Sequence, residues 1–144
     1  MVDKQKTILF LCTGNYYRSR FVEALFNRMA RERGLAWRAE SAGLRVSEHG
    51  NIGALSVYAR EAMVARGLAI DERMPRSLRI EMLQGADRVI VLSRAEHEPM
   101  MAELFPEWKD HVTYWEIGDI QITEPKRAIE AMERNVVELI DELS

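Results

Sequence analysis

A parallel α/β fold, one sheet with helices on both faces, is what this 144-residue sequence predicts, and three observations carry that prediction. Short runs rich in apolar and β-branched residues alternate with longer stretches whose apolar residues recur at helical spacing. Alternation of this kind argues for parallel strands joined by helical crossovers. No repeat, low-complexity tract or linker-like stretch divides the chain, so residues 1–144 are expected to form a single domain with one buried core.

The first strand is expected over 7–12, where Thr7-Ile8-Leu9-Phe10-Leu11 leads into Cys12. An amphipathic stretch from Ser19 predicts a helix over 19–33, which makes Thr13 to Arg18 the connecting loop. Further strands are expected at 37–42, 87–92 and 111–115, and further helices at 52–66, 78–84, 94–104 and 125–143. In the last helix Ile129, Met132, Val136, Ile140 and Leu143 fall on one face and read as core.

Composition narrows the function. With 47% hydrophobic and 30% charged residues the chain is expected to be a soluble globular protein, and its net charge of −3 argues against a nucleic-acid partner. A single cysteine permits no internal disulfide, which suits a reducing cytosol. The apolar run ending at Cys12 is too short for a signal peptide or a membrane span, so a cytoplasmic location without membrane attachment is expected.

That one cysteine stands at a strand end, where parallel sheets bind ligands, and Arg18 and Ser19 follow it across the loop. A loop between strand and helix aims backbone N–H groups at one point, and the helix N-terminus adds partial positive charge. A phosphoryl group would be held there, and a thiolate favoured over a thiol. Gly14 adopts backbone angles closed to other residues, and Asn15 tolerates the left-handed region. Arg18 supplies a planar fork for two phosphate oxygens. The Ser19 hydroxyl is expected to cap the helix and donate to the sulfur. The competing reading makes Cys12 a small buried hydrophobe and the Gly, Asn and Ser ordinary turn and cap residues.

The segment Leu11-Cys12-Thr13-Gly14-Asn15-Tyr16-Tyr17-Arg18-Ser19 resembles the signature of the low-molecular-weight protein tyrosine phosphatases, V-C-x-G-N-x-C-R-S-P. The likeness continues through Glu40-Ser41-Ala42-Gly43, Gly67-Leu68-Ala69-Ile70 and Ala86-Asp87-Arg88-Val89-Ile90-Val91-Leu92, and so covers essentially the whole chain. It implies a four-stranded parallel sheet of order 2-1-3-4 in a three-layer αβα sandwich, an order that periodicity alone does not fix. It also implies a phosphomonoesterase, in the first instance a protein tyrosine phosphatase, working through a phosphocysteine intermediate without a metal or other cofactor. Cys12 would be the nucleophile, and the loop from Thr13 through Gly14, Asn15, Tyr16 and Tyr17 to Arg18 would bind phosphate. The substrate would be a phosphorylated protein or a small phosphomonoester, and inorganic phosphate the product. The three histidines, His49, His97 and His111, show no zinc-binding spacing.

The resemblance also places a general acid in a D-P-[YF] motif after the fourth strand, where this chain has Gly118-Asp119-Ile120-Gln121. Asp119 is the expected acid and base, with Glu116 or Asp110 as substitutes. In the family the loop Asn is pinned by the Ser of S-A-G, matched by Ser41, and by a His whose place Arg73 takes. Arg donates but cannot accept, so the pinning is an open question. Arg20 replaces a Pro, and together with Arg45 is expected to add positive charge near the mouth. Ser47 and Ile120-Gln121 stand where the family has aromatic walls, leaving Tyr16, Tyr17 or Trp115 as replacements. Two other functions fit the same residues: a phosphate-binding module with impaired turnover, and an arsenate reductase that draws on an external thiol.

Overall fold

Strand β1, Lys6–Cys12, is apolar on both faces, and Ile8, Leu9, Phe10 and Leu11 are all buried, as a central parallel strand requires. The computed structural model describes residues 4–144. Along the chain follow α1 (Arg18–Glu32), β2 (Trp37–Gly43), a 3₁₀ turn (Val46–Glu48), α2 (Val57–Ala65), α3 (Ile80–Gly85), β3 (Arg88–Val91), α4 (Arg94–Leu104), β4 (Thr113–Tyr114) and α5 (Pro125–Leu143). The sheet order is β2-β1-β3-β4 with every pair parallel, the order implied by the resemblance.

Alternation along β1 divides the interior. Ile8, Phe10 and Cys12 face a layer built from α1, α2 and α5, including Phe21, Phe26, Met132, Val136 and Ile140. Leu9 and Leu11 face the opposite layer with Leu83, Val89, Val91 and Met101, beneath α3 and α4. The register pairs Cys12 with Gly43 and Leu11 with Val91, which gathers the carboxyl ends of three strands at one edge of the molecule. The loops leaving those ends build the site.

Element boundaries differ from the sequence expectation where local chemistry intervenes. Helix α2 starts at Val57 rather than 52, because Gly53 at φ +77° turns the chain and the Ser56 hydroxyl caps the helix by accepting from Tyr58 N at 3.1 Å. Helix α3 starts at Ile80 because Leu78 N still bonds to Gly43 O at 2.8 Å, prolonging the sheet edge. Strand β4 keeps two residues of the expected five-residue stretch, and the 3₁₀ turn at Val46–Glu48 was not expected. The apolar stripe of α5 is buried as expected at Ile129, Met132, Val136 and Ile140.

Candidate active site

Cys12 ends β1 almost fully buried, and the loop that follows is held in shape by Asn15. Asn15 has φ +50°, the one non-glycine residue in the left-handed region among those described. Its side chain is fully satisfied. The amide nitrogen donates to Ser19 Oγ and Ser41 Oγ, both at 2.9 Å, while Oδ1 accepts from Arg73 Nη1 at 2.9 Å and Arg76 N at 3.1 Å. The position facing Arg73 is therefore an acceptor, so a donor is what the network needs there. Arg73 does what the histidine of the family was expected to do, and it also reaches Ser41 Oγ at 3.0 Å and Glu23 at 3.2 Å.

The same network orients Ser19. Its oxygen already accepts from Asn15, so its O–H is free to donate across the 3.0 Å to Cys12 Sγ, a contact that stabilises a thiolate. Ser19 is not the helix cap that was expected: Tyr17 holds that position with no side-chain bond, and Ser19 lies inside the first turn. No carbonyl among the described residues takes the backbone N–H groups of Thr13 to Tyr17, which leaves them available as anion donors.

Arg18 is the largest fully buried side chain. Its Nη1 donates to Ile117 O at 2.9 Å, and its two terminal nitrogens grip the Glu96 carboxylate at 3.2 and 2.7 Å. Glu96 was not foreseen from the sequence. The pattern Ser93-x-x-Glu96 just after β3 marks a capping box, and Ser93 Oγ does accept from Glu96 N at 3.3 Å. The reciprocal half of the box is taken by His97, whose Nδ1 accepts from Ser93 N at 3.1 Å. That exchange frees the Glu96 side chain to cross the site to Arg18 and to the Thr13 hydroxyl. His97 must then carry its proton on Nε2, which faces Thr13 Oγ1 at 2.9 Å and Glu96 at 3.0 Å. Burial holds the His97 imidazole below its ordinary value. Burial pushes the Glu96 carboxyl up, but bonds from His97 and Arg18 outweigh it and hold the group well below the usual carboxylate range.

Asp119 lies against the same arginine, Oδ2 at 3.5 Å from Nη2, and its Oδ1 accepts from Ile120 N at 3.0 Å. This turn does without the family's proline. A further contact was also unforeseen: His49 Nε2 stands 3.2 Å from Asp119 Oδ2. Nothing local in the sequence around His49 signals it, since the pairing joins residues from opposite ends of the sheet edge.

An open cavity of about 560 Å³ lies against this cluster, lined among others by Thr13, Tyr16, Tyr17, Glu48, His49, Glu96, Asp119, Ile120, Gln121 and Ile122, while Cys12 and Arg18 are buried and are not among the lining residues. Tyr16 and His49 meet edge to face at 6.2 Å and form one aromatic wall. Tyr17 lies beside it with a buried hydroxyl that has no partner among the described residues, its pKa pushed up to about 12 by burial and by Asp119. Trp115, considered as a wall, instead packs on Phe10 at 5.7 Å in the core. Ser47, Glu116 and Asp110 are not among the lining residues. Arg20, expected near the mouth, is buried and donates to the carbonyls of Ala54, Asp71 and Arg73 at 2.8–3.0 Å, so it staples loops rather than steering ligands. Arg45 pairs with Glu48 and Glu103, and its charge is answered locally.

Comparison with known proteins places this geometry in company. The family model for low molecular weight phosphotyrosine protein phosphatase matches residues 7–144. The protein-arginine-phosphatase of Bacillus subtilis (strain 168) is 32% identical over 105 residues, 73% of this chain and 67% of that protein. Among solved structures, the low molecular weight protein tyrosine phosphatase from T. tengcongensis is 27% identical with a TM-score of 0.77, covering 96% of this chain and 97% of that one. The YwlE arginine phosphatase, as a cysteine-to-serine variant with its active-site serine phosphorylated, is 25% identical with a TM-score of 0.79, covering 95% of each chain; a YwlE mutant structure is from Bacillus subtilis.

Proposed function

The chain belongs to the low molecular weight phosphotyrosine protein phosphatase family and is a cysteine-dependent phosphatase, and on that premise we propose how its own residues divide the work. Cys12 attacks phosphorus in line. The S–P bond forms as the P–O bond to the leaving group breaks, and Arg18 with the amides of Thr13, Gly14, Asn15, Tyr16 and Tyr17 stabilises the equatorial oxygens. Asp119 protonates the departing oxygen, then takes a proton from the water that displaces Cys12 and releases inorganic phosphate. Asn15, Ser41 and Ser19 hold the loop and the sulfur in place.

The observation that carries this assignment is the 3.0 Å contact of Ser19 with a cysteine sulfur at the foot of a loop whose amides are unclaimed, with Arg18 and Asp119 beside it. A binding module without turnover needs no acid, and Asp119 in the cavity favours the enzyme.

The substrate we propose is a phosphorylated protein, with phosphotyrosine stacked on the Tyr16 and His49 wall. A second reading, phosphoarginine, is favoured by charge. Glu48, Glu96 and Asp119 are among the described lining residues, which include no lysine or arginine, although Arg18 and Arg45 answer part of their charge from outside the lining. A phenyl ring gains nothing from those carboxylates, whereas a guanidinium does. Among the described residues no helix is long and apolar enough to cross a membrane, and a single buried thiol suits a reducing cytoplasm.

Hydrolysis of paired peptides carrying phosphotyrosine or phosphoarginine at the same position tests both parts. A kcat/KM at least tenfold higher for one peptide identifies the substrate class. Undiminished hydrolysis of both by Cys12→Ser would overturn the assignment of the nucleophile.

A further inference from the structure

Asn51 fixes the protonation of His49. Its Nδ2 donates to Gly14 O at 3.0 Å, so its Oδ1 is the atom that faces His49 Nδ1 at 2.6 Å. That oxygen can only accept, and Nδ1 must therefore carry a hydrogen. The other ring nitrogen, Nε2, meets Asp119 Oδ2 at 3.2 Å. A bare Nε2 and an ionised carboxylate are both acceptors, so the contact is a hydrogen bond only when one proton lies between them.

The ring is also clamped sterically. A Cβ on Gly14 would come within 2.4 Å of His49 Cγ and Nδ1, so glycine at that place in the loop is what lets the imidazole lie against it. Tyr16 meets the ring from the side at 6.2 Å. One residue thus ties the loop that binds phosphate to the carboxylate expected to protonate the leaving group, through the amide of Asn51. The charged groups around the pair are Arg18, 3.5 Å from the same oxygen of Asp119, and Glu48 and Glu96 in the cavity lining.

We propose that His49 is a positioning residue that shares one proton with Asp119, so that the His49 and Asp119 pair, rather than Asp119 alone, serves as acid and base. The proposal rests on Asp119 being the general acid. As the P–O bond breaks, the proton held between Nε2 and Oδ2 goes to the leaving oxygen, leaving a carboxylate and a neutral imidazole. When water attacks the phosphocysteine, its proton returns to the pair.

Steady-state kinetics on p-nitrophenyl phosphate and phenyl phosphate, a good and a poor leaving group, test this in the wild type, His49→Ala, His49→Gln, Asp119→Asn and the double variant His49→Ala with Asp119→Asn. The expected result is a ratio of kcat/KM for phenyl phosphate to kcat/KM for p-nitrophenyl phosphate at least tenfold lower in both His49 variants, a ratio from which the loss of the His49 wall and the hydrolysis step common to both esters cancel. Glutamine keeps a donor toward Asp119 but cannot share a proton, so it should not restore the rate. In the Asp119→Asn background the loss of His49 should add less than threefold. Equal losses of kcat/KM on both esters in the His49 variants, rescue of that ratio by His49→Gln, or a full additional fall in the double variant would each overturn the proposal. If Asp119→Asn itself lowers kcat/KM equally for both esters, the acid assignment fails instead. A far-ultraviolet circular dichroism spectrum and a thermal midpoint matching the wild type in each variant show that the protein is folded.

Discussion

Glu96 sets the electrostatics of the site residue by residue. A buried guanidinium needs a counter-charge, and the two-point grip of Glu96 on Arg18 provides it. The same carboxylate competes with a phosphate dianion for the fork. Glu96→Gln is therefore expected to lower KM for a phosphate ester about tenfold, a shift within reach of one fixed charge at this separation; a raised KM would mean that Glu96 only holds Arg18 in place. The stability effect has the opposite sign, with a loss of roughly 1.5–3 kcal/mol. Because the folded-state value of Glu96 is depressed, its contribution is complete above its ordinary value of 4.5 and is lost as pH falls toward the depressed one. Acid unfolding of Glu96→Gln should show a flatter limb than the wild type below that pH. Cys12 and Arg18 were expected from the chemistry of the loop between β1 and α1 together with the resemblance, and Asp119 from the resemblance alone, by its place after the fourth strand. Glu96 and His49 were not foreseen, because each meets a partner more than sixty positions away; His49 has no local pattern, and the capping-box pattern of Glu96 points to a helix start rather than to Arg18.

At the level of elements, the loop between β1 and α1 depends on distant anchors. Asn15 sits at positive φ, and what keeps it there are bonds from the end of β2 and from Arg73 and Arg76, in the segment before α3. Arg73→Met should leave the sheet intact but unseat Asn15, lowering kcat/KM by about 10–100-fold, while thermal unfolding shifts by no more than a few degrees. A Tm loss matching the loss of activity would show that Arg73 serves the fold instead. The sequence left this anchor open because donor and acceptor roles at Asn15 depend on how its amide is turned, which only the assembled loop decides. Helix starts were misjudged for a related reason. Apolar periodicity begins at 52, but Gly53 and the Ser56 cap decide where α2 begins.

For the molecule as a whole, the sheet is a frame that brings three strand ends to one place, and its apolar layers pack on either side of it, one of them taking in Cys12 and Tyr17. Met132 in α5 is fully buried against the layer beneath α1. Met132→Ala should cost about 2–5 kcal/mol in urea unfolding, with kcat of the folded protein unchanged; a fall in kcat would couple α5 to the site. Strand and helix alternation made the α/β class legible, whereas the order 2-1-3-4 came from the resemblance, since periodicity does not say which strands pair. What the frame exists to hold is a sulfur that forms a bond to phosphorus. Rapid quenching of the reaction with p-nitrophenyl phosphate, followed by mass spectrometry of the peptide that contains Cys12, tests that most directly. The expected result is a transient addition of one phosphoryl group to Cys12 within the burst of p-nitrophenol. Steady hydrolysis with no phosphate ever found on that sulfur would contradict it.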